Sequence, residues 1–289
     1  MQLVVFILVY PILWLISILP YRLFYLFSDV ICFFVYRVIG YRKETVRENL
    51  LLAFPEKTTE ERLAIERKFY QHLCDLFLEM IKTLTITEDE MNKRFTISNL
   101  DVLQEMESKG KSIALMTGHY ASYEWSVSVN KKLSVKGYAI YKKIANKYFD
   151  KLVRDIREKF GANLITTKET IPTIEANYIA GVQSIYGFAS DQSPKASRAI
   201  NWGPFFGIET PLQTGAEMLS KKFDMNVIFM RIRKVKRGYY DCSFEAMSYD
   251  AKSIPDFELT HQFMRKVEEQ ILEAPEYYLW THKRWKHRK

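Results

Sequence analysis

Ser112-Ile113-Ala114-Leu115-Met116-Thr117 runs through Gly118 into His119-Tyr120-Ala121-Ser122-Tyr123-Glu124. The first half is a short apolar run bounded by Gly110 and Gly118, the pattern of a buried strand. Trp125 to Val129 follows and can open a helix. His119 therefore sits where a strand ends, the place where α/β proteins build sites. A His and a carboxylate five residues apart stand about 140° apart on a regular helix and would not meet. A strand-to-helix turn can bring them together, so that Glu124 orients the imidazole and His119 serves as a general base for a hydroxyl. The plainer alternative is a His that merely lies near a Glu. Gly118 argues against it by permitting an unusual backbone angle and close ligand approach. Of the five His, His72 and His261 fall in helical stretches that read as exposed, and His282 and His287 lie in a basic tail.

Outward from this stretch, strand and helix patterns alternate. Thr59 to Thr83 is an amphipathic helix with Phe69, Leu73, Phe77 and Ile81 on one stripe and Thr59 as its cap. Helices are expected over 101–108, 146–160, 171–180, 212–223 and 263–272. Strands are expected at 138–141, 164–165 and 184–189, with a strand pair at 226–235 and 239–247. The alternation predicts an α/β fold with a mixed central sheet and flanking helices.

The chain has 289 residues, is 48% hydrophobic and 15% aromatic, and carries a net charge of +8. A sizeable core is available, and the charge calls for an anionic partner. Cys32, Cys74 and Cys242 are too few and too scattered for a disulfide framework or a zinc site, and no metal is expected. Met1 to Tyr21 has no charge and is long enough to cross a bilayer. It lacks the charged start and small-residue cleavage site of a signal peptide. Leu23 to Ile39, broken by Asp29, reads as an interfacial helix. Arg22, Arg37, Arg42, Lys43 and Arg47 follow on one side, which by the positive-inside rule leaves the rest in the cytoplasm. Residues 1–40 are thus expected to be a membrane anchor and interfacial helix, and 41–289 a cytoplasmic domain. The alternative is a buried N-terminal hairpin in a soluble protein.

Four further features carry possible chemistry. The 191–211 loop begins Ser190-Asp191-Gln192, contains Lys195 and Arg198, and closes Gly203-Pro204-Phe205-Phe206-Gly207. Loops of this length are often functional, although this one could be a structural excursion. Arg154 and Arg157 share a helix face, with Lys159 nearby, and can serve phosphate or be an ordinary solvated face. Arg231 to Arg237 alternates basic and apolar residues and fits anionic lipid or a guarded edge strand. The tail Trp280 to Lys289 is basic with interleaved Trp; beside an apolar N-terminus it favours a membrane surface over nucleic acid. Gly110-Lys111-Ser112 is no phosphate loop, because Glu105 stands where its first Gly would be.

Together these segments resemble the late lipid A acyltransferases of the lysophospholipid acyltransferase superfamily. The resemblance rests on Asn49-Leu50 and Phe54-Pro55, the His119-x4-Glu124 motif, Arg157 to Gly161, Asp191-Gln192, Pro204 to Gly207, and Pro275 to Lys286. Two departures stand out: Ala121-Ser122-Tyr123 replaces the family's usual Gly-Asn-Trp, and Phe229 stands where a Pro is common. The resemblance implies a glycerolipid acyltransferase-like fold at the inner membrane, facing the cytoplasm. It implies transfer of a fatty acyl group from an acyl carrier protein or coenzyme A thioester to a hydroxyl of an anionic lipid acceptor, with no resident cofactor. His119 and Glu124 would be catalytic. Arg157, Lys159 and Arg198 would anchor phosphates, and Asp191 and Gln192 would bound the site. The rivals are another lipid acceptor, a thioesterase in which His119 activates water, and a non-enzymatic basic membrane adaptor.

Overall fold

Ile113 to Thr117 is buried at every position, as a strand covered on both faces must be. The computed structural model describes residues 2–289 except for the side chain of Arg198. Its strands are β1 (Phe95–Ile97), β2 (Ile113–Thr117), β3 (Lys136–Tyr141), β4 (Asn163–Thr166), β5 (Ser184–Ala189), β6 (Trp202–Phe205), β7 (Ile208–Pro211), β8 (Asn226–Lys236) and β9 (Tyr239–Ser248). Its helices are α1 (Gln2–Ile18), α2 (Tyr21–Phe33), α3 (Lys43–Ala53), α4 (Thr59–Lys82), α5 (Glu88–Arg94), α6 (Leu100–Ser108), α7 (Lys147–Glu158), α8 (Thr170–Ile179), α9 (Gly215–Lys222) and α10 (Glu258–Glu273).

Seven strands form one sheet in the order β1-β9-β8-β2-β5-β3-β4. Strands β8, β2, β5, β3 and β4 are parallel neighbours, while β9 runs antiparallel to β8 and parallel to β1. The sheet is mixed and flanked by helices, in agreement with the alternation read from the chain.

Several local expectations change. The segment after the His119 turn is a 3-10 helix, Trp125–Lys132. The 191–211 loop contains the β6–β7 hairpin. Thr58, not Thr59, caps α4, completing a reciprocal box with Glu61. His72 is buried, not exposed.

The chain's two ends differ most from expectation. The apolar run at the N-terminus breaks at Leu19-Pro20, because a residue before proline is pushed out of helical geometry. That leaves α1 at 17 residues, about 26 Å long, against about 30 Å of bilayer core. No described helix is by itself long and apolar enough to cross a membrane. The carbonyls freed at the α1 terminus are taken by Lys82 Nζ, at 2.7 Å from Ser17 O and 2.6 Å from Leu19 O. Inside, Phe6 packs against Tyr148 and Phe149 of α7. Outside, Leu3, Ile7, Leu8, Ile12, Leu15 and Ile18 are 45–67% exposed. Helix α2 continues through a π-helical turn, Phe34–Ile39, and exposes Leu26, Phe33, Phe34 and Val38.

The tail behaves in the opposite way. Trp280, Arg284 and Trp285 are buried, while Lys283, Lys286, Arg288 and Lys289 stay exposed, so the aromatic half of the tail is core and only its basic half is surface. Trp285 Nε1 donates to Phe205 O at 3.2 Å, and Asn49 Nδ2 donates to Trp280 O and His282 O, both at 2.7 Å.

Candidate active site

The central strands decide which residues meet. β2 and β5 are adjacent and parallel, with Thr117 paired to Ala189 at their C-terminal ends. Two residues further along each chain stand His119 and Asp191. His119 Nδ1 lies 2.6 Å from Asp191 Oδ1. Asp191 is fully buried, while the His119 side chain is 20% exposed. Burial alone would lower the imidazole pKa. The Asp191 charge and hydrogen bond, with a smaller contribution from Glu124, outweigh it and hold the value above the ordinary one. Burial works in the opposite sense on Asp191, and His119 outweighs it there too, keeping the carboxyl below its usual range.

The turn carrying His119 is strapped by the tail. Tyr120 forms an antiparallel bridge with Tyr278. Ala121 N–H donates to Tyr277 O at 2.9 Å, and Leu279 N–H to His119 O at 3.2 Å. Gly118 does not supply the unusual backbone angle. That falls on Ala121, at φ +48°, in the left-handed region where an L-residue costs about 1–2 kcal/mol. A Cβ at Gly118 would make only ordinary contacts with Val267 and Asp191. Tyr123 sets its ring edge-on to His119, with centroids 5.1 Å apart.

Glu124 does not take the position expected for it. Asp191 already holds His119 Nδ1, and both Glu124 carboxylate oxygens accept from Arg157 Nη2, at 3.0 and 2.8 Å. Both partners of this pair are largely buried. Arg157 is therefore committed to Glu124 rather than presenting a free fork to phosphate.

Both His119 and the Glu124–Arg157 pair line a cavity of about 390 Å³. Its other walls are mostly apolar: Leu115, Ile185, Gly187 and Met230 from the sheet, Val127 and Leu133 from the 3-10 segment. A glycine at 187 leaves the floor open, since a Cβ there would meet only Tyr138 O, at 3.6 Å. An apolar chamber with a few convergent polar groups is the usual build of a small-molecule site.

A family model described as bacterial lipid A biosynthesis acyltransferase matches residues 1–287. The chain belongs to this family. It is 23% identical over 286 residues to the lipid A biosynthesis palmitoleoyltransferase of Escherichia coli (strain K12), covering 96% of this chain and 89% of that one. A lipid A biosynthesis acyltransferase of Shigella flexneri matches with the same identity and coverage. The lipid A biosynthesis lauroyltransferase of Escherichia coli (strain K12) is 24% identical over 287 residues, 96% of this chain and 90% of the relative. The protein is an acyltransferase.

The remaining expected residues of this acyltransferase are spread out. Lys159 lies away from the cavity: its Nζ donates to Thr83 O at 3.4 Å, Leu84 O at 3.5 Å and Ile86 O at 2.5 Å, closing the C-terminal end of α4. In this structure it caps the end of α4 and does not line the cavity. Gln192 follows Asp191 and is half-buried. Arg198 ends a short 3-10 turn, Ala196–Arg198, and its side chain lies outside the described residues. Two of the basic side chains of this stretch are occupied by partners: Arg231 bonds Glu245 at 2.6 Å, and Arg237 bonds Asp29 at 2.6 Å and Asp75 at 2.7 Å, while Arg233 and Lys236 are exposed. Among the described residues no cluster of His, Cys, Asp or Glu is arranged to hold a metal ion. Reasoning along the chain placed Asp191 only at the rim. The missed signal was that two buried-type strands each end two residues before a chemistry-bearing side chain.

Proposed function

We propose that this acyltransferase moves a fatty acyl chain from a thioester of acyl carrier protein or coenzyme A to a hydroxyl of a lipid A precursor, with His119 as general base. The observation that carries the reading is the His119–Asp191 pair on the wall of an apolar cavity large enough for an acyl chain. With Nδ1 committed to Asp191, Nε2 takes the hydroxyl proton. The oxygen attacks the thioester carbonyl, and Asp191 stabilises the imidazolium. The tetrahedral adduct then expels the thiolate, which recovers the proton, leaving an ester and a free thiol. No acyl-enzyme is formed. General base catalysis of this kind contributes about 10²–10⁴-fold.

Arg157, held by Glu124 at the cavity wall, supplies positive field where the oxyanion develops. Glu124 acts on His119 through space and fixes Arg157. Arg198 remains a candidate for an anionic group of the acceptor, and Gln192 bounds the site beside Asp191.

In this reading, residues 1–40 are the membrane-facing part and 41–289 the catalytic part. The anchor lies in the interface of the inner membrane, on the cytoplasmic side. The exposed apolar faces of α1 and α2, with Arg22, Arg37, Arg42 and Lys43 nearby, support this placement.

Mass spectrometry of lipid A from cells lacking the protein tests the proposal. Loss of one secondary acyl chain, restored by the wild type and not by His119→Ala, is the expected result. Full restoration by a folded His119→Ala would overturn it.

A further inference from the structure

The cavity beside His119 has two unlike ends, and strand register gives its depth. At the upper level Thr117 of β2 pairs with Ala189 of β5. Two residues down, Gly187 lies between Leu115 of β2 and Ala139 of β3. Two further down, Ile185 pairs with Gly137 of β3. Residues two apart share one face of a strand, and Ala189, Gly187 and Ile185 all line the cavity, as do Ala139 and Gly137. It therefore runs down the sheet along β5, from just below His119 to Ile185.

The upper end is open: Lys142 and Ile144 line it, and both are exposed. The lower end is closed by the end of the 3-10 segment. Asn130 Oδ1 occupies the space that a Cβ would take at Gly137, and Leu133 Cδ1 lies 2.8 Å from that point. Asn130 is fixed there by its Nδ2, which donates to Val127 O at 2.8 Å. At the middle level the reverse holds. A Cβ at Gly187 would meet only Tyr138 O, at 3.6 Å, so the passage is clear.

From Ala189 to Ile185 is four residues, about 13 Å at the rise of a parallel strand. An extended alkyl chain advances about 1.3 Å per carbon, given its bond lengths and near-tetrahedral angles. That depth takes about ten carbons, and the carbonyl carbon and its neighbour stand above it beside His119. Volume gives a similar answer: at about 30 Å³ per water-sized heavy atom, the 390 Å³ of the cavity holds about thirteen.

We propose that Leu133 and Asn130, lying on Gly137, set the acyl chain length, and that the preferred donor carries a straight chain of about twelve carbons. The inference rests on the transfer proposed above, with the chain seated beneath His119.

The test gives the purified full-length protein in detergent an equimolar mixture of straight-chain acyl thioesters, from about eight to about sixteen carbons. They are carried on acyl carrier protein in one series and on coenzyme A in another. The acceptor is lipid A from cells lacking the protein, and product masses give the ratios. In the wild type the twelve-carbon product should exceed the sixteen-carbon one by about tenfold or more, because even one methylene too many is worth about that factor in a closed apolar pocket. Leu133→Ala should shift the ratio toward longer chains by about tenfold. Gly187→Val, which plugs the middle level, should shift it toward about eight carbons. A wild type that prefers sixteen carbons, or ratios unmoved in both variants, would overturn the proposal. Ratios are internal to each sample, so a variant that folds only in part still reports. Transfer of no chain at all from either carrier would instead remove the reaction on which the inference rests.

Discussion

Asp191 and Glu124 are two carboxylates beside one imidazole, and they are held by opposite means. Asp191 comes from the neighbouring strand, is fully buried, and bonds His119 Nδ1 at 2.6 Å. Glu124 comes from the same turn as His119, lines the cavity, and is neutralised by Arg157 at 2.8 Å. Proximity in sequence gave Glu124 the first claim on His119. Strand register gave the place to Asp191. A site at the end of parallel strands is assembled sideways, across the sheet, and residues close in the chain then fill its second position.

The largest effect expected from this difference is at Asp191. Asp191→Asn removes the charge that overcomes burial of the imidazole and permits the wrong tautomer. Transfer should fall by about 10³–10⁴-fold, as for carboxylates that orient catalytic imidazoles elsewhere, in steady-state assays on folded protein. Glu124→Gln should cost less, about 10–100-fold, because Arg157 is left without its partner but His119 keeps its own. Its pH profile separates the two roles. His119 has a raised pKa in the folded protein, and only the neutral imidazole can accept a proton. In the wild type the acid limb of kcat/KM should therefore lie above about 6.5. Glu124→Gln should move it slightly down, since a negative charge is lost. The stability contribution runs the other way: a raised His pKa stabilises below the unfolded value and is lost as pH rises through the folded one.

A second contrast separates Arg157 from Lys159, two cations read alike from their spacing. Lys159→Met should cost about 1–3 kcal/mol of stability by leaving the carbonyls of the turn after α4 without a donor. Activity per folded molecule should stay within about twofold. Thermal unfolding beside a specific-activity assay checks both. The smallest effect is expected at Ala121→Gly, which puts at φ +48° the residue best suited to it. Relief of about 1–2 kcal/mol is offset by the greater freedom of glycine in the unfolded chain, about 0.4–1 kcal/mol. The variant should be between neutral and about 1 kcal/mol more stable, with full activity.

The α/β alternation, the Ile113 strand and the placement of His119 at its end were legible because they depend on local periodicity. The His119–Asp191 bond was not, because it depends on which strands become neighbours. The last paired positions of β2 and β5, Thr117 and Ala189, are 72 residues apart in the chain, and local pattern carries no record of their pairing. The tail misled for a related reason. Trp280, Arg284 and Trp285 read as a basic aromatic surface until β6, β7 and Asn49 close over them. At the other end, an uncharged run predicted one span, and a single proline, Pro20, divided it.

The most direct test of the account is to measure acyl transfer in purified Asp191→Asn and Glu124→Gln side by side, at one pH, with folding verified for each. The account predicts that Asp191→Asn is slower by at least about tenfold, following the ranges above. A Glu124→Gln variant slower than Asp191→Asn would contradict it and return the catalytic partnership to the residue five positions along the chain.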